Sequence, residues 1–211
     1  MINVCQRCGI YRADKEIDSN GPWAICSECG EKHPFVMAPL VLIGGPSGGG
    51  KTTVARALVS SLPEVVLLEG DILWRDVFAS PQDDYREFYE TWLRLLKNIA
   101  QSGRPGVLVS GGAAVPQNIE GCVERRYFSQ ASYLALTASD RTLETRLKSR
   151  PRSRKSSDPD FIAKQLSFSK WLVEQGRNPE QPITVIDTTE CNVEDTVCQV
   201  RRWVRQQLTT S

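Results

Sequence analysis

The sequence predicts an α/β fold: a five-stranded parallel sheet with helices on both faces, preceded by a small separate module. Three observations lead there. Short β-rich apolar runs alternate with helix-period stretches from about residue 39 to 208, the pattern of a parallel sheet covered on both sides. The first of these runs, Leu40-Val41-Leu42-Ile43, feeds Gly45-Pro46-Ser47-Gly48-Gly49-Gly50-Lys51-Thr52, which fits G-x-x-x-x-G-K-[ST]. Ahead of it, Cys5-Gln6-Arg7-Cys8 and Cys26-Ser27-Glu28-Cys29 form two C-x-x-C pairs with seventeen residues between them. The expected domains are therefore 1–38 and 39–211, joined across Pro34–Pro39.

Composition narrows the function class. A chain of 211 residues with 40% hydrophobic and 24% charged side chains suits one main globular domain and an appendage. A net charge of +1 gives no general attraction for nucleic acid or a membrane surface. No apolar run approaches a membrane span, and no basic segment followed by an apolar one marks a secretory signal. Seven cysteines, four of them in a metal-like pattern, fit a reducing cytoplasm better than a disulfide framework.

The cysteine spacing lies inside the C-x₂-C-x₁₅₋₂₀-C-x₂-C range of zinc sites. Each two-residue gap lets two thiolates reach one ion at about 2.3 Å, and four thiolates close a tetrahedral structural site. Gly9 and Gly30, after the second cysteine of each pair, supply the tight turn. Residues 1–38 thus form a zinc ribbon with Cys5, Cys8, Cys26 and Cys29 as ligands, a redox dithiol pair being the alternative. Short β-like pieces are expected at Ile10-Tyr11 and Trp23–Ile25. His33 could serve as a ligand, but with four cysteines present it is expected at the surface. Arg7, Arg12, Lys15 and Lys32 face Asp14, Glu16, Asp18, Glu28 and Glu31, a slightly acidic balance that argues against a nucleic-acid grip. The ribbon reads as structural or as a dock for a protein partner.

In the glycine-rich loop, backbone N–H groups and the following helix N-terminus cradle phosphates. Lys51 would reach the β- and γ-phosphates and the Thr52 hydroxyl would ligate Mg²⁺. Gly45, Pro46, Ser47, Gly48, Gly49, Gly50, Lys51, Thr52 and Thr53 are the candidate nucleotide-binding residues, and Thr53–Val59 continue as a helix.

The apolar run Val65–Leu68 ends in Glu69-Gly70-Asp71. Carboxylates at the C-terminal end of a parallel strand sit on the ligand edge of an open sheet. Asp71 could take the proton of a substrate hydroxyl and Glu69 could help hold Mg²⁺; alternatively Asp71 caps a helix starting at Ile72. Tyr85, Phe88, Tyr89, Trp92, Leu95, Leu96 and Ile99 recur at helical spacing over residues 84–102 and read mainly as core. Trp74, Phe78 and Tyr85 lie near enough to Asp71 in sequence to wall a pocket for a flat ring. Gly106–Val109 form a third strand ending in Ser110-Gly111-Gly112, where Gly111 and Gly112 would let a substrate approach the backbone, or simply turn the chain.

Pro116 is expected to open a helix running to about Arg126, and Ser132–Leu136 form a fourth strand. Residues 140–155 hold seven cations and two acids on a helix broken at Pro151, followed by a polar loop. A lid around 146–158 fits this pattern, as does a solvated basic face. Residues 160–176 resume as a helix. Ile183–Ile186 form the fifth strand, ending at Asp187, and Val193, Val197, Val200, Val204 and Leu208 mark a final helix.

Taken together, residues 39–208 resemble a P-loop small-molecule kinase of the group containing shikimate, gluconate and nucleoside or nucleotide kinases. Glu69-Gly70-Asp71 resembles the acid-x-acid motif of that group, which implies substrate contact by Asp71 and Mg²⁺ assistance by Glu69. Ser110-Gly111-Gly112 resembles the substrate motif of shikimate kinases, with Ala113 in place of a third glycine. Arg146 and Arg150-Pro151 resemble lid arginines, and Asp187-Thr188-Thr189 falls where the adenine-contacting loop begins. No Asp-Gly-Phe-Pro-Arg motif of the adenylate kinase type is present.

The expected function is ATP- and Mg²⁺-dependent transfer of the γ-phosphoryl group to a hydroxyl of a small molecule. Lys51, Asp71, Arg146 and Arg150 are the catalytic candidates, and Asp71, Trp74, Gly111 and Gly112 the acceptor-binding ones. The aromatics near Asp71 make a nucleoside the first guess, with sugars, sugar acids and hydroxylated antibiotics open. A nucleic-acid 5′-end kinase using the ribbon and a non-catalytic nucleotide-dependent switch are the alternatives. No sequence feature fixes the oligomeric state.

Overall fold

A computed structural model of the protein describes residues 2–78, 85–180 and 183–209. The N-terminal ribbon is a three-stranded antiparallel sheet of β1 (Glu16–Asp18), β2 (Trp23–Ile25) and β3 (Lys32–Pro34), in that order. Its two cysteine knuckles have the same backbone pattern. Gly9 N–H donates to Cys5 C=O at 3.0 Å and Gly30 N–H to Cys26 C=O at 2.9 Å, with φ of +75° and +72° at the glycines.

The ribbon corrects two expectations. The chain at Ile10-Tyr11 forms no strand; Tyr11 makes a single bridge to Val4. His33 is buried at 6% exposure, because it sits on the inward face of β3 opposite the fully buried Ala24.

The core sheet contains β4 (Leu40–Gly44), β5 (Val66–Glu69), β6 (Gly106–Val109), β7 (Ala131–Thr137) and β8 (Ile183–Asp187). All pairings are parallel, and the order is β5-β6-β4-β7-β8. Strand alternation then builds two cores. Leu40 and Leu42 face one side with Leu108 and Tyr133; Val41 and Ile43 face the other with Val107, Val109, Leu134 and Leu136. Helices α1 (Lys51–Leu58) and α6 (Val193–Thr209) cover the second side. Helices α2 (Arg86–Ala100), α3 (Gln117–Glu120) and α5 (Pro159–Arg177) cover the first, and α4 (Asp140–Lys148) packs on α5.

Phe88, Tyr89, Trp92, Leu93 and Leu96 of α2 are buried at 3% exposure or less, which anchors that helix against the sheet. The helix was expected from residue 84, which lies outside the described residues. The helix expected over 116–126 is short: α3 ends before Gly121, and a 3-10 turn follows over Val123–Tyr127. Gly121 lacks the helix propensity to carry the turn on, and Cys122 is extended at φ −73°, ψ 140°. Among the described residues, no helix is long and apolar enough to cross a membrane.

This topology places the site. The chain leaves β4 toward the β5 edge and leaves β7 toward the β8 edge, so a crevice opens beyond the carboxyl end of β4. The loops after β4, β5 and β6 meet at that crevice.

Candidate active site

The loop after β4 is held by close backbone packing. Gly45 has φ +129°, and a Cβ there would stand 2.2 Å from the Leu136 carbonyl oxygen of β7, so only glycine fits. Gly50, at φ +97°, caps α1 without any side-chain hydrogen bond, which leaves the first-turn N–H groups free for an anion. Lys51 opens α1 and turns back over the loop, donating to the carbonyls of Gly45 at 2.7 Å and Pro46 at 2.9 Å. Burial pulls its pKa down to about 8; Asp71 opposes that shift and Arg150 reinforces it. A triphosphate in the loop would favour the charged ammonium. Thr52 is exposed at the helix start, where its hydroxyl could meet a metal ion beside the phosphates.

Two cavities flank this loop. The donor-side cavity, about 290 Å³, is lined by Gly48, Gly50, Thr53, Arg146, Arg150 and Thr188, among others. Arg146 is fixed there. Its guanidinium donates to the Gly48 carbonyl at 3.1 Å, the Thr188 hydroxyl at 2.9 Å and the Thr188 carbonyl at 2.9 Å. Arg150 lies just beyond α4 and keeps its charge exposed to the cavity; burial and the nearby Arg154 lower its pKa. The segment beyond Arg150 makes a 3-10 turn over Arg152–Arg154 and is pinned by buried Ser156, whose hydroxyl donates to the Leu147 carbonyl at 3.0 Å. Asp187 does not join this cavity. It lines a separate cleft between α5 and the turn from β7 into α4, where its carboxylate accepts the Thr189 N–H at 2.8 Å. Thr188 takes the position beside the loop.

The second cavity, also about 290 Å³, lies on the other side and brings together Gly45, Ser47, Asp71, Trp74, Gly111 and Gly112. Asp71 is exposed within a 3-10 turn over Gly70–Leu73 and does not cap a helix; the residue before the turn is Glu69, which makes no side-chain cap. Glu69 is half-buried at the end of β5 and does not line the cavity. Gly111 C=O accepts the Gly45 N–H at 3.0 Å, which ties the β6 loop to the phosphate loop. Trp74 packs edge-on against Phe88 at 5.3 Å and tilts toward Tyr85 at 5.9 Å. Tyr85 stands at φ +56°, a left-handed conformation that is costly for a bulky residue and that directs its ring to this wall. Phe78 packs on Phe88 at 5.7 Å and is not part of the cavity lining.

Four further lining residues come from helices distant in sequence: Tyr89, Asn118, Gln165 and Phe168. Burial raises the Tyr89 pKa, so the phenol stays protonated, with Asn118 and Ser110 as hydrogen-bond partners. Asn118 donates to the Gly112 carbonyl at 2.9 Å. Gln165 of α5 accepts the Ser47 N–H through Oε1 at 2.7 Å, spanning the phosphate loop and the cavity. Sequence spacing places Tyr89 on the buried stripe of α2 and carries no signal for Asn118 or Gln165.

The four ribbon sulfurs stand at the corners of a near-tetrahedron. All four lie within 4.8 Å of one another, with Cys5 Sγ–Cys29 Sγ at 3.6 Å and Cys8 Sγ–Cys26 Sγ at 3.8 Å. A tetrahedron with bonds of about 2.3 Å has edges of about 3.8 Å, so the cluster fits one zinc ion. The Cys8 N–H, 3.5 Å from Cys5 Sγ, helps pull the Cys5 pKa down to about 5, toward the thiolate a metal requires.

Comparison with known proteins matches residues 40–167 to a family model described as an AAA domain. Solved structures of similar fold include a sugar kinase from Janibacter sp. HTCC2649, with TM-score 0.56 and 17% identity over 80% of this chain and 95% of that one. The tunicamycin resistance protein of Deinococcus radiodurans follows, with TM-score 0.54 and 20% identity over 79% and 95%. A gluconokinase from Sinorhizobium meliloti 1021 gives TM-score 0.52 and 17% identity over 84% and 97%. At these identities the likeness is one of fold, the P-loop kinase-like fold. No curated protein sequence matches the chain.

Proposed function

The chain belongs to the AAA-domain family matched over residues 40–167, and on that premise we propose that it is an ATP- and Mg²⁺-dependent phosphotransferase acting on a hydroxyl of a small, uncharged molecule. A nucleoside is the first acceptor to test. The observation that carries this reading is the pair of cavities on opposite sides of one phosphate loop, with Asp71 on the far side. A nucleotide-binding switch needs only the first cavity. A phosphotransferase needs both.

The roles follow from placement. The loop N–H groups and Lys51 would hold the β- and γ-phosphates, and Arg150 would meet charge developing on the transferred group. Asp71 would orient the acceptor hydroxyl and take its proton as the bond to phosphorus forms. Thr52 and Glu69 would hold Mg²⁺, which would neutralise charge on the bridging phosphates. Arg146, held by three hydrogen bonds, would shape the donor cavity, and Asp187 would act at most through its neighbour Thr188.

The acceptor class follows from what lines the second cavity. Among the described residues that line it, none is Lys, Arg or His, and Asp71 is itself anionic. A carboxylate or phosphomonoester would meet no cationic side chain among those lining residues, with Lys51 behind Gly45 engaged on the loop carbonyls. Trp74, Tyr85, Phe88 and Phe168 offer aromatic faces, while Tyr89, Asn118 and Gln165 offer neutral hydrogen-bonding groups. That combination suits a ring bearing hydroxyls. The ribbon is proposed to hold one structural zinc on four cysteines, and that pattern together with the unpaired Cys122, Cys191 and Cys198 favours a reducing compartment such as the cytoplasm.

Coupled ATP consumption across matched pairs, such as adenosine with AMP and glucose with gluconate, tests the reading. The expected result is turnover on a neutral member, abolished in Lys51→Ala. No consumption above that control on any acceptor would sink the phosphotransferase reading, and turnover on the acidic members alone would sink the uncharged acceptor.

A further inference from the structure

The ribbon does not dangle from the core; it is bonded to two of the elements that wall the acceptor cavity. The first is α2, whose N-terminal half carries Phe88 and Tyr89 at the cavity, while Lys97 and Gln101 lie near its other end. Lys97 is 1% exposed and donates to both Asn3 Oδ1 of the ribbon and Glu124 Oε2. Gln101 receives the Val36 N–H at 2.8 Å and donates to the Val36 carbonyl at 3.2 Å.

The second element is the segment 117–127. Asn118 reaches the cavity at one end, and Glu124 and Tyr127 meet the ribbon at the other. Glu124 is fully buried and accepts from Asn3 Nδ2 at 3.2 Å and Arg94 Nε at 2.8 Å. Tyr127 donates its hydroxyl to the Ala13 carbonyl at 2.7 Å and packs edge-on against Phe35 at 5.7 Å. Glu90 of α2 in turn accepts the N–H groups of Val123 and Glu124, which fastens the two walls to each other.

A buried ion pair of this kind is sensitive to its surroundings. Its charges are tolerable only while every partner stays in place, because an unpaired buried charge is strongly destabilising. Asn3 supplies one of those partners, and it lies two residues before the ligand Cys5. The ribbon's own buried apolar residues, Ile2, Ala24 and Phe35 packed with Tyr127, make too small a core to hold Asn3 without the metal.

We propose that the zinc ribbon is an internal brace: metal bound by the four cysteines keeps Asn3 on Lys97 and Glu124, and through them sets the acceptor wall formed by α2 and residues 117–127. Asn3, Lys97 and Glu124 are positioning residues in this scheme, and none of them touches the cavity. The proposal rests on the reading above only for the identity of the occupant of that cavity. Among the described residues no hydrogen bond or ion pair joins the ribbon to the donor loop 45–52, which is left untouched.

Hydrogen exchange by mass spectrometry on the full chain, with zinc bound and after chelation, tests the brace without requiring turnover. The expected result is exchange faster by about tenfold or more in 86–101 and 117–127 as well as in 2–37, with 40–58 unchanged. Faster exchange confined to 2–37 would overturn the proposal. So would faster exchange spread equally through 40–58, or no change anywhere.

Because Glu124→Gln leaves Lys97 uncompensated and risks the fold, Asn3→Ala and Tyr127→Phe are the companion variants. Each is expected to raise the acceptor KM by about threefold to tenfold while the ATP Kd stays constant. An equal loss on both substrates would mark general destabilisation and count against the brace. Absence of turnover in the unaltered protein would defeat the kinase reading, and the exchange experiment would still decide the brace.

Discussion

The two halves of the site are built in opposite ways. The donor side centres on one continuous stretch, Gly45–Thr52, whose backbone cradles the phosphates and whose glycines are required by the carbonyl of Leu136 and by the turn into α1, with Arg146, Arg150 and Thr188 closing the cavity beside it. The acceptor side is assembled from side chains on the loops after β5 and β6 and on helices α2, α3 and α5. A backbone cradle has one solution and suits a ligand group that never changes, a chain of phosphates. A side-chain cavity is free to vary residue by residue, which suits the ligand that must be told apart from others.

Substitutions should divide along that line. The largest expected effect is Lys51→Met, which removes the cation over the phosphates and should lower turnover by about 10³-fold or more. Circular dichroism and melting should show an intact fold, since the ammonium bonds only to loop carbonyls. Next is Asp71→Asn, expected to cost about 10²-fold in kcat with ATP affinity retained; a matching loss of ATP affinity would erase the division between the halves.

The pH dependence is the third prediction. The Lys51 pKa falls from its ordinary 10.5 to about 8 through burial, so between those values the unfolded chain binds more protons than the folded one. The stability of the nucleotide-free protein should therefore rise as pH climbs from 8 to 10.5, by about 2 kcal/mol once the partial exposure of the side chain is allowed for. ATP affinity should move the other way, falling toward tenfold per pH unit above about 8, because the charged ammonium is the form that meets phosphate. Lys51→Met should flatten both profiles, as read by thermal melts and by titration with an ATP analogue.

The smallest effect sharpens the acceptor half. Gly112→Ala would place a Cβ 2.5 Å from the Tyr89 hydroxyl and 2.9 Å from Asn118 Nδ2. Those flexible groups would shift, and the acceptor KM should rise by about threefold to tenfold with the ATP Kd unchanged.

The same contrast explains what could be read without coordinates. The phosphate loop and the cysteine pairs are local patterns, because short-range geometry alone dictates which residues work at each position. The order of strands and helices followed from the alternation of apolar runs. Asp71, Trp74, Gly111 and Gly112 were traceable because each lies at or just beyond a strand end, where an open sheet collects its ligands. Tyr89 was visible but indistinguishable from core, since burial and cavity lining put the same residue type on the same helix face. Asn118, Gln165 and Phe168 depend on how three helices fold over the sheet, and no local spacing encodes that. His33 was placed outside because four cysteines left it no ligand role, whereas here its face of β3 turns inward. The overlong helix at 116–126 had a signal that outweighed it, Gly121.

Arg146 has a kinetic meaning. With three hydrogen bonds to Gly48 and Thr188, its guanidinium already stands in place at the donor cavity before any nucleotide arrives. Little ordering remains for the ligand to impose, so nucleotide capture should be a single-step encounter whose rate scales with collision frequency and solvent viscosity. Any slow conformational phase in a stopped-flow trace would then belong to the acceptor, and would appear only when the acceptor is added.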